Sequence, residues 1–226
     1  MKAPAVIGVV LMSLGCQDDR DVNRIMGTGE VTRVTAMADG DQLRRAVREG
    51  RRNDVEAMLR AGTDASEPDK LGATPLVLAA RHNDDVELAR LLHAAAPATL
   101  EVGDSLQRTP LSWAASSGHD AVCSFLLGLG AAVEARDATG KTPLFHAVLT
   151  GKARTARRLI AHGADVDARD GFGDTALMMA ASKDHRDMVE LLLRAGASRA
   201  PRDEQGRTAL ERTHDEEVKQ LLAGDP

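Results

Sequence analysis

Five copies of a short motif recur along this chain at a nearly constant interval, and this periodicity limits the folds that the sequence can adopt. Each copy begins with a threonine, and an aspartate lies five residues before it. In four copies a glycine lies two residues before the threonine, and Gln107 replaces it in the other. The threonines are Thr74, Thr109, Thr142, Thr175 and Thr208, with spacings of 35, 33, 33 and 33 residues. Such a period indicates one supersecondary unit repeated in an array.

The copy that begins at Asp137 shows why each unit forms a pair of helices. Thr142 at the N-cap accepts a hydrogen bond from a backbone N–H that otherwise lacks a partner, and Pro143 gives up only an unpaired N–H. Apolar residues then recur at helical spacing up to Gly151, and a second apolar set ends at Gly163. Two short antiparallel helices of this kind cannot bury their apolar faces alone, so neighbouring units must stack.

The threonine-proline-leucine opening and the period near 33 residues resemble the ankyrin repeat, from about Gly40 to the C-terminus. The resemblance implies an all-α fold, namely an ankyrin repeat solenoid of stacked helix-turn-helix units joined by hairpin-like turns. The predicted units are an N-terminal cap, four full repeats and a C-terminal cap, at residues 40–68, 69–103, 104–136, 137–169, 170–202 and 203–226.

Two of these units depart from the pattern. In repeat 69–103 Ala95 stands where the closing glycine belongs, Pro97 follows, and two extra residues lengthen the segment. Such an insertion maps to a loop on one face, and it is either a tolerated surface change or a protrusion used in recognition. The N-terminal cap has five arginines that we predict to be exposed, because an end unit must be polar outside. Interspersed acids favour a solvated cap over a basic contact patch; the arginines are Arg44, Arg45, Arg48, Arg51 and Arg52.

The first 39 residues differ from the repeats in composition. Residues 1–16 contain Lys2, then an apolar run too short to span a bilayer, and then Gly15 directly before Cys16. This segment resembles a bacterial lipoprotein signal, with Cys16 as the lipidated residue. Ser13 stands where that family usually has leucine. Residues 17–39 predict a flexible linker. These features predict export to the bacterial cell envelope on the periplasmic side, and Gln17 resembles the outer-membrane sorting pattern. The alternative is a cytoplasmic protein that starts at Met37 or keeps its leader.

The chain shows no pattern typical of an active site. Its seven histidines lack metal-ligand spacing, and there is no phosphate-binding loop or nucleophile motif. We therefore predict no catalytic, cofactor-binding or metal-binding residues and no cofactor, and we predict that Cys123 lies in the core. The net charge of -5 argues against a nucleic-acid partner. His119 and His185 occupy equivalent positions, which predicts a structural role, and Trp113 and Phe145 are interpreted mainly as packing residues.

The resemblance to ankyrin repeats implies binding of another protein through the turn tips and the inner face of the first helices. The implied partner-binding positions are Lys70, Leu71, Arg81, His82, Leu106, Arg108, Thr139, Lys141, Leu149, Phe172, Asp174 and Lys183. The predicted function is thus a non-catalytic protein-protein interaction module, exported and membrane-tethered through its N-terminal lipid, and monomeric. The alternative is a cytosolic ankyrin adaptor; an enzyme is the less favoured class.

Two rows along the turns bear on this prediction. At the third residue of the turn, Leu71, Leu106 and Phe172 are large and apolar. They either form an exposed interaction row or fold against the neighbouring turns. A second row places Arg136, Arg169 and Arg202 directly before repeat-opening aspartates. Its spacing predicts arginines stacked beside aspartates, with either a structural role or a role in presenting guanidinium groups to an acidic partner.

Overall fold

The computed structural model describes residues 40–224, and every element in this part of the chain that extends beyond a single bridge is helical. An isolated antiparallel bridge joins Arg169 to Thr175. The predictions for the signal peptide, the linker and Cys16 concern residues outside the described part. The helices are α1 (residues 40–48), α2 (Arg52–Arg60), α3 (Pro75–His82), α4 (Val86–Ala95), a 3-10 helix (Pro97–Glu101), α5 (Pro110–Ser117), α6 (Asp120–Gly128), α7 (Pro143–Leu149), α8 (Ala153–Ala161), α9 (Ala176–Ser182), α10 (Arg186–Arg194), α11 (Ala209–Arg212) and α12 (Glu216–Ala223).

The predicted threonines begin the first helix of each unit. The Thr142 side chain accepts a hydrogen bond from the Phe145 backbone N–H at 3.3 Å, and Thr74, Thr109 and Thr175 cap their helices in the same way. Thr208 forms a capping box with Glu211. These caps supply acceptors for helix N-termini that lie inside the protein, where water is excluded.

The helices stack in two layers. The first helices α3, α5, α7, α9 and α11 pack on one another in chain order, and so do the second helices α4, α6, α8, α10 and α12. A leucine two residues after each of the first four threonines is at most 1% exposed, whereas Leu210 in the last unit is 39% exposed. A single apolar core therefore runs through the stack, and its leucine is partly exposed in the last described unit. The predicted all-α solenoid is confirmed.

The burial of one cap arginine differs from the sequence prediction, and the structure of the irregular repeat refines it. Arg44 was predicted to be exposed but is only 7% exposed, because α1 turns it towards the loop after α2, where it donates to the Glu67 carbonyl oxygen at 3.0 Å. The other four cap arginines are exposed as predicted. In the irregular repeat, the segment without a closing glycine continues as the 3-10 helix Pro97–Glu101, and the Thr99 hydroxyl donates to the Ala96 carbonyl at 2.7 Å.

Candidate functional site

One aspartate shapes each turn between units. In the turn that begins at Asp137, carboxylate Oδ1 accepts hydrogen bonds from the backbone N–H groups of Thr139 at 2.8 Å and Lys141 at 3.0 Å. Burial raises the pKa of Asp137, but its hydrogen bonds outweigh burial and hold the pKa below its ordinary value. The same pair of backbone bonds forms at the other turns, on Asp69, Asp104, Asp170 and Asp203. Each turn tip is thus held in one conformation.

In two of these turns the second carboxylate oxygen connects the turn to the inner face of a first helix. Oδ2 of Asp104 accepts from the Trp113 indole Nε1 at 3.0 Å, and Oδ2 of Asp137 lies 2.9 Å from His146 Nε2. Because a carboxylate only accepts, the His146 proton resides on Nε2. Burial lowers the pKa of His146 more than the carboxylate of Asp137 raises it, so the imidazole is neutral near pH 7.

The three apolar turn tips are exposed. Leu71 is 61%, Leu106 49% and Phe172 57% exposed. Their backbones are nevertheless fixed, because the Ser105 N–H donates to the Leu71 carbonyl and the Ala138 N–H to the Leu106 carbonyl, each at 2.8 Å. The turns therefore bind their neighbours through the backbone while the side chains of Leu71 and Leu106 face solvent, which favours the exposed row over tips folded against the next turn. The ammonium group of Lys141 lies 5.2 Å from the centre of the Phe172 ring.

Cations and aromatic rings lie together on the inner face. The guanidinium carbons of Arg81 and Arg108 lie 4.3 and 3.8 Å from the centre of the Trp113 ring. Lys141 lies 5.5 Å from the centre of the Phe145 ring and forms an ion pair of 3.1 Å with Asp170. Phe145 is buried as predicted, whereas Trp113 is a contact residue for two arginines as well as a packing residue.

The remaining implied partner-binding residues divide by exposure and internal contacts. Asp174 is half-buried and holds Arg212 of the last unit in an ion pair, so its carboxylate already serves the fold. Arg108 and Lys141 are half-buried beside aspartates, and Leu149 is half-buried. Lys70, Arg81, His82, Thr139 and Lys183 are exposed. Burial lowers the pKa of His82, and the nearby Arg81 and Arg48 lower it further.

The arginine row along the turns contacts carbonyl oxygens, and the predicted stacking of Arg136 and Arg169 on aspartates is not observed. Arg136 Nη1 donates to the Gly140 carbonyl at 2.9 Å and to the Arg169 carbonyl of the next turn at 2.6 Å. Arg169 donates to the Arg202 carbonyl at 3.1 Å. The neighbouring aspartates have other partners: Oδ2 of Asp137 is bonded to His146, and Oδ2 of Asp170 pairs with Lys141. These contacts favour the structural role for the row.

A second row of acidic side chains, not predicted from the sequence, joins neighbouring units. Glu101, Glu134 and Asp167 each accept a hydrogen bond at 2.9 Å from a backbone N–H 31 residues further on, at Ala132, Asp165 and Ser198. The signal that could have revealed them is their own spacing of 33 residues, because equivalent positions in a stacked array meet equivalent neighbours.

The predicted structural roles of His119, His185 and Cys123 are confirmed. His119 and His185 place Nδ1 at 2.9 and 3.3 Å from the carbonyl oxygens of Ala80 and Val148 in the preceding unit. Cys123 is fully buried, and burial raises the pKa of its thiol to about 12. Within residues 40–224 no group of three side chains has the arrangement of a metal site. None of the helices there combines enough length with enough apolar sequence to span a bilayer.

Stacked helix pairs, joined by aspartate-held turns that project along one edge, define a helical repeat protein of the solenoid class. The family model described as ankyrin repeats matches the chain in three copies, at residues 43–137, 99–170 and 144–224. The chain therefore belongs to the ankyrin repeat family, whose members are generally non-catalytic scaffolds that bind other proteins.

Similarity to a curated protein agrees with this assignment. The chain is 32% identical over 100 residues to ankyrin repeat and SOCS box protein 2 of Bos taurus. The alignment covers 44% of this chain and 16% of that protein. Because so small a part of the relative is matched, the likeness concerns the repeats.

Proposed function

We propose that this protein is a non-catalytic interaction module that recognises another protein through its turn tips and the inner face of its first helices. The observation that supports the proposal is the exposed apolar row of Leu71, Leu106 and Phe172 on turns that aspartates hold rigid. A large apolar side chain in water favours burial in a partner. Because the turns are preorganised, binding loses little conformational entropy.

The test is affinity capture of partners by the full chain, compared with the triple variant Leu71→Ser, Leu106→Ser and Phe172→Ser. We expect partners captured by the unchanged protein to be lost with the triple variant. Leu129→Ser is the matched control, since Leu129 is also an exposed leucine, at 37%, but lies after α6 and away from the turn tips. Equal capture by all three proteins would refute binding through the tips.

We further propose that the module is exported and tethered by a lipid on Cys16, on the sequence of residues 1–16 alone. Intact mass and cell fractionation of the full-length protein in a Gram-negative host test this. A membrane-bound species that begins at Cys16 with added acyl mass supports the tether. An unprocessed soluble species, or one that begins at Met37, refutes it and favours the cytosolic adaptor.

A further inference from the structure

Arg81 differs from the other arginines of the inner face in having no carboxylate partner. Arg48, Arg108 and Arg212 each lie within 3.7 Å of an aspartate oxygen. Arg81 forms no such pair with any of residues 40–224, although its guanidinium is exposed and stacks on Trp113 at 4.3 Å. Contact with the indole limits the freedom of the Arg81 side chain before any partner arrives, which reduces the entropy lost on binding.

Arg108, on the same indole, also retains free donors. Its Nε lies 3.6 Å from Oδ2 of Asp104, which exceeds a hydrogen-bond length, and is buried without a hydrogen-bond partner. The donors that a ligand can reach are therefore those of the Nη atoms, which form no hydrogen bond with residues 40–224. Asp104 instead has other partners: Oδ2 accepts from Trp113, and Oδ1 accepts from two backbone N–H groups. One carboxylate and two guanidinium groups thus contact the same indole, which leaves an excess of positive charge there.

Apolar side chains lie in the same two repeats as these guanidinium groups. Leu106 is two residues before Arg108 in the same turn. Leu71 belongs to the preceding turn, and its carbonyl accepts the hydrogen bond of 2.8 Å from Ser105 that connects the two turns. Both leucines are exposed. A ligand that is complementary to both the guanidinium groups and the leucines combines negative charge with an apolar group.

We propose that Arg81, Arg108 and Trp113 form a carboxylate-binding site for an acidic segment of a partner protein, which places an apolar side chain on Leu71 and Leu106. The carboxylate belongs either to an Asp or Glu side chain or to the C-terminus of the partner. Guanidinium groups suit this ligand because they donate two parallel hydrogen bonds to it. The inference rests on the proposed function and specifies the chemistry of its partner.

The test selects ligands for the full chain from a random twelve-residue peptide library that has one pool with free and one with amidated C-termini. Selected peptides are then resynthesised with Glu→Gln or Asp→Asn, and their affinities are measured by fluorescence anisotropy. We expect these amide replacements to weaken binding at least tenfold, because charge-assisted hydrogen bonds are lost. Selection from the amidated pool indicates a side-chain carboxylate, and selection only from the free pool indicates a terminal one.

Protein variants locate the site. Arg81→Gln is expected to weaken binding at least tenfold and to reduce its salt dependence, and Arg81→Lys to weaken it less. Arg157→Gln is the matched control, since Arg157 is also an exposed arginine but lies in α8, a second helix away from the turn tips. Selected peptides without a carboxylate, equal affinity for Arg81→Gln, or no selected peptide would each overturn the inference. The capture experiment with the turn-tip variant judges the proposed function separately.

Discussion

Replacing Gly140 with alanine tests whether contacts between turns stabilise the array. Gly140 has a φ of 77°, and Gly173, at the same place in the next turn, has a φ of 76°. In this left-handed region an L-residue destabilises the folded state by about 1–2 kcal/mol. Alanine also reduces the conformational entropy of the unfolded chain, which offsets about 0.4–1 kcal/mol of this cost. The backbone cost alone is therefore about 1 kcal/mol at either position.

The two positions differ in what a new Cβ atom would contact. At Gly140 it would lie 2.6 Å from the Gly171 backbone nitrogen, so the neighbouring turns must separate and lose the 2.8 Å bond from Gly171 N–H to the Thr139 carbonyl. At Gly173 the nearest atom is the end of the Arg169 side chain at 3.9 Å. Losing the hydrogen bond adds about 0.5–1.5 kcal/mol, so Gly140→Ala should cost about 1.5–2.5 kcal/mol and Gly173→Ala about 1 kcal/mol.

Urea unfolding followed by circular dichroism at 222 nm measures both free energies of unfolding. Gly206→Ala is a second control, because Gly206 has a φ of 77° and open space around it. If Gly140→Ala and Gly173→Ala reduce the free energy of unfolding equally, the contact between turns contributes no measurable stability and the reasoning fails.

Three further predictions follow from single contacts. Because burial lowers the pKa of His146 despite its hydrogen bond to Asp137, the unfolded chain binds more protons below about pH 6.5, and the free energy of unfolding should fall as the pH drops from 7 to 5. His146→Gln should flatten this dependence in urea titrations; an unchanged slope contradicts the assignment. Thr142→Val removes the cap of Phe145 N–H and should lower the free energy of unfolding by about 1 kcal/mol, whereas no change would show that water replaces the cap. The buried Cys123 thiol, with a pKa of about 12, should resist alkylation at pH 8 in peptide mapping until urea is added, and modification in the native protein would show that α6 opens.

Periodic positions were the predictable part of the fold. The threonine caps and the leucines that follow them depend on contacts within one unit or on equivalent contacts between units, so their spacing specifies their environment. Arg44 was mispredicted because its burial depends on the path of the loop after α2. Polarity alone does not reveal that path.

The candidate site was predictable at the turn tips but not on the inner face. Leu71, Leu106 and Phe172 share one place in the repeat, so their exposure follows from the turn geometry. The pairing of Arg81 with Trp113 joins different places in neighbouring units, and the 3.6 Å separation that leaves Arg108 Nε without a bond to Asp104 depends on individual distances. Composition and spacing carry no information on either.

The recurring acidic row has a consequence for how this protein can diversify. Glu101, Glu134 and Asp167 form the same bond at three successive junctions, so the unit at residues 137–169 presents matching donors and acceptors at its two ends. Duplicating or deleting such a unit preserves the bonding pattern at the new junction. The area available for recognition can then change in evolution by whole units, without the redesign of a core that a globular domain would require.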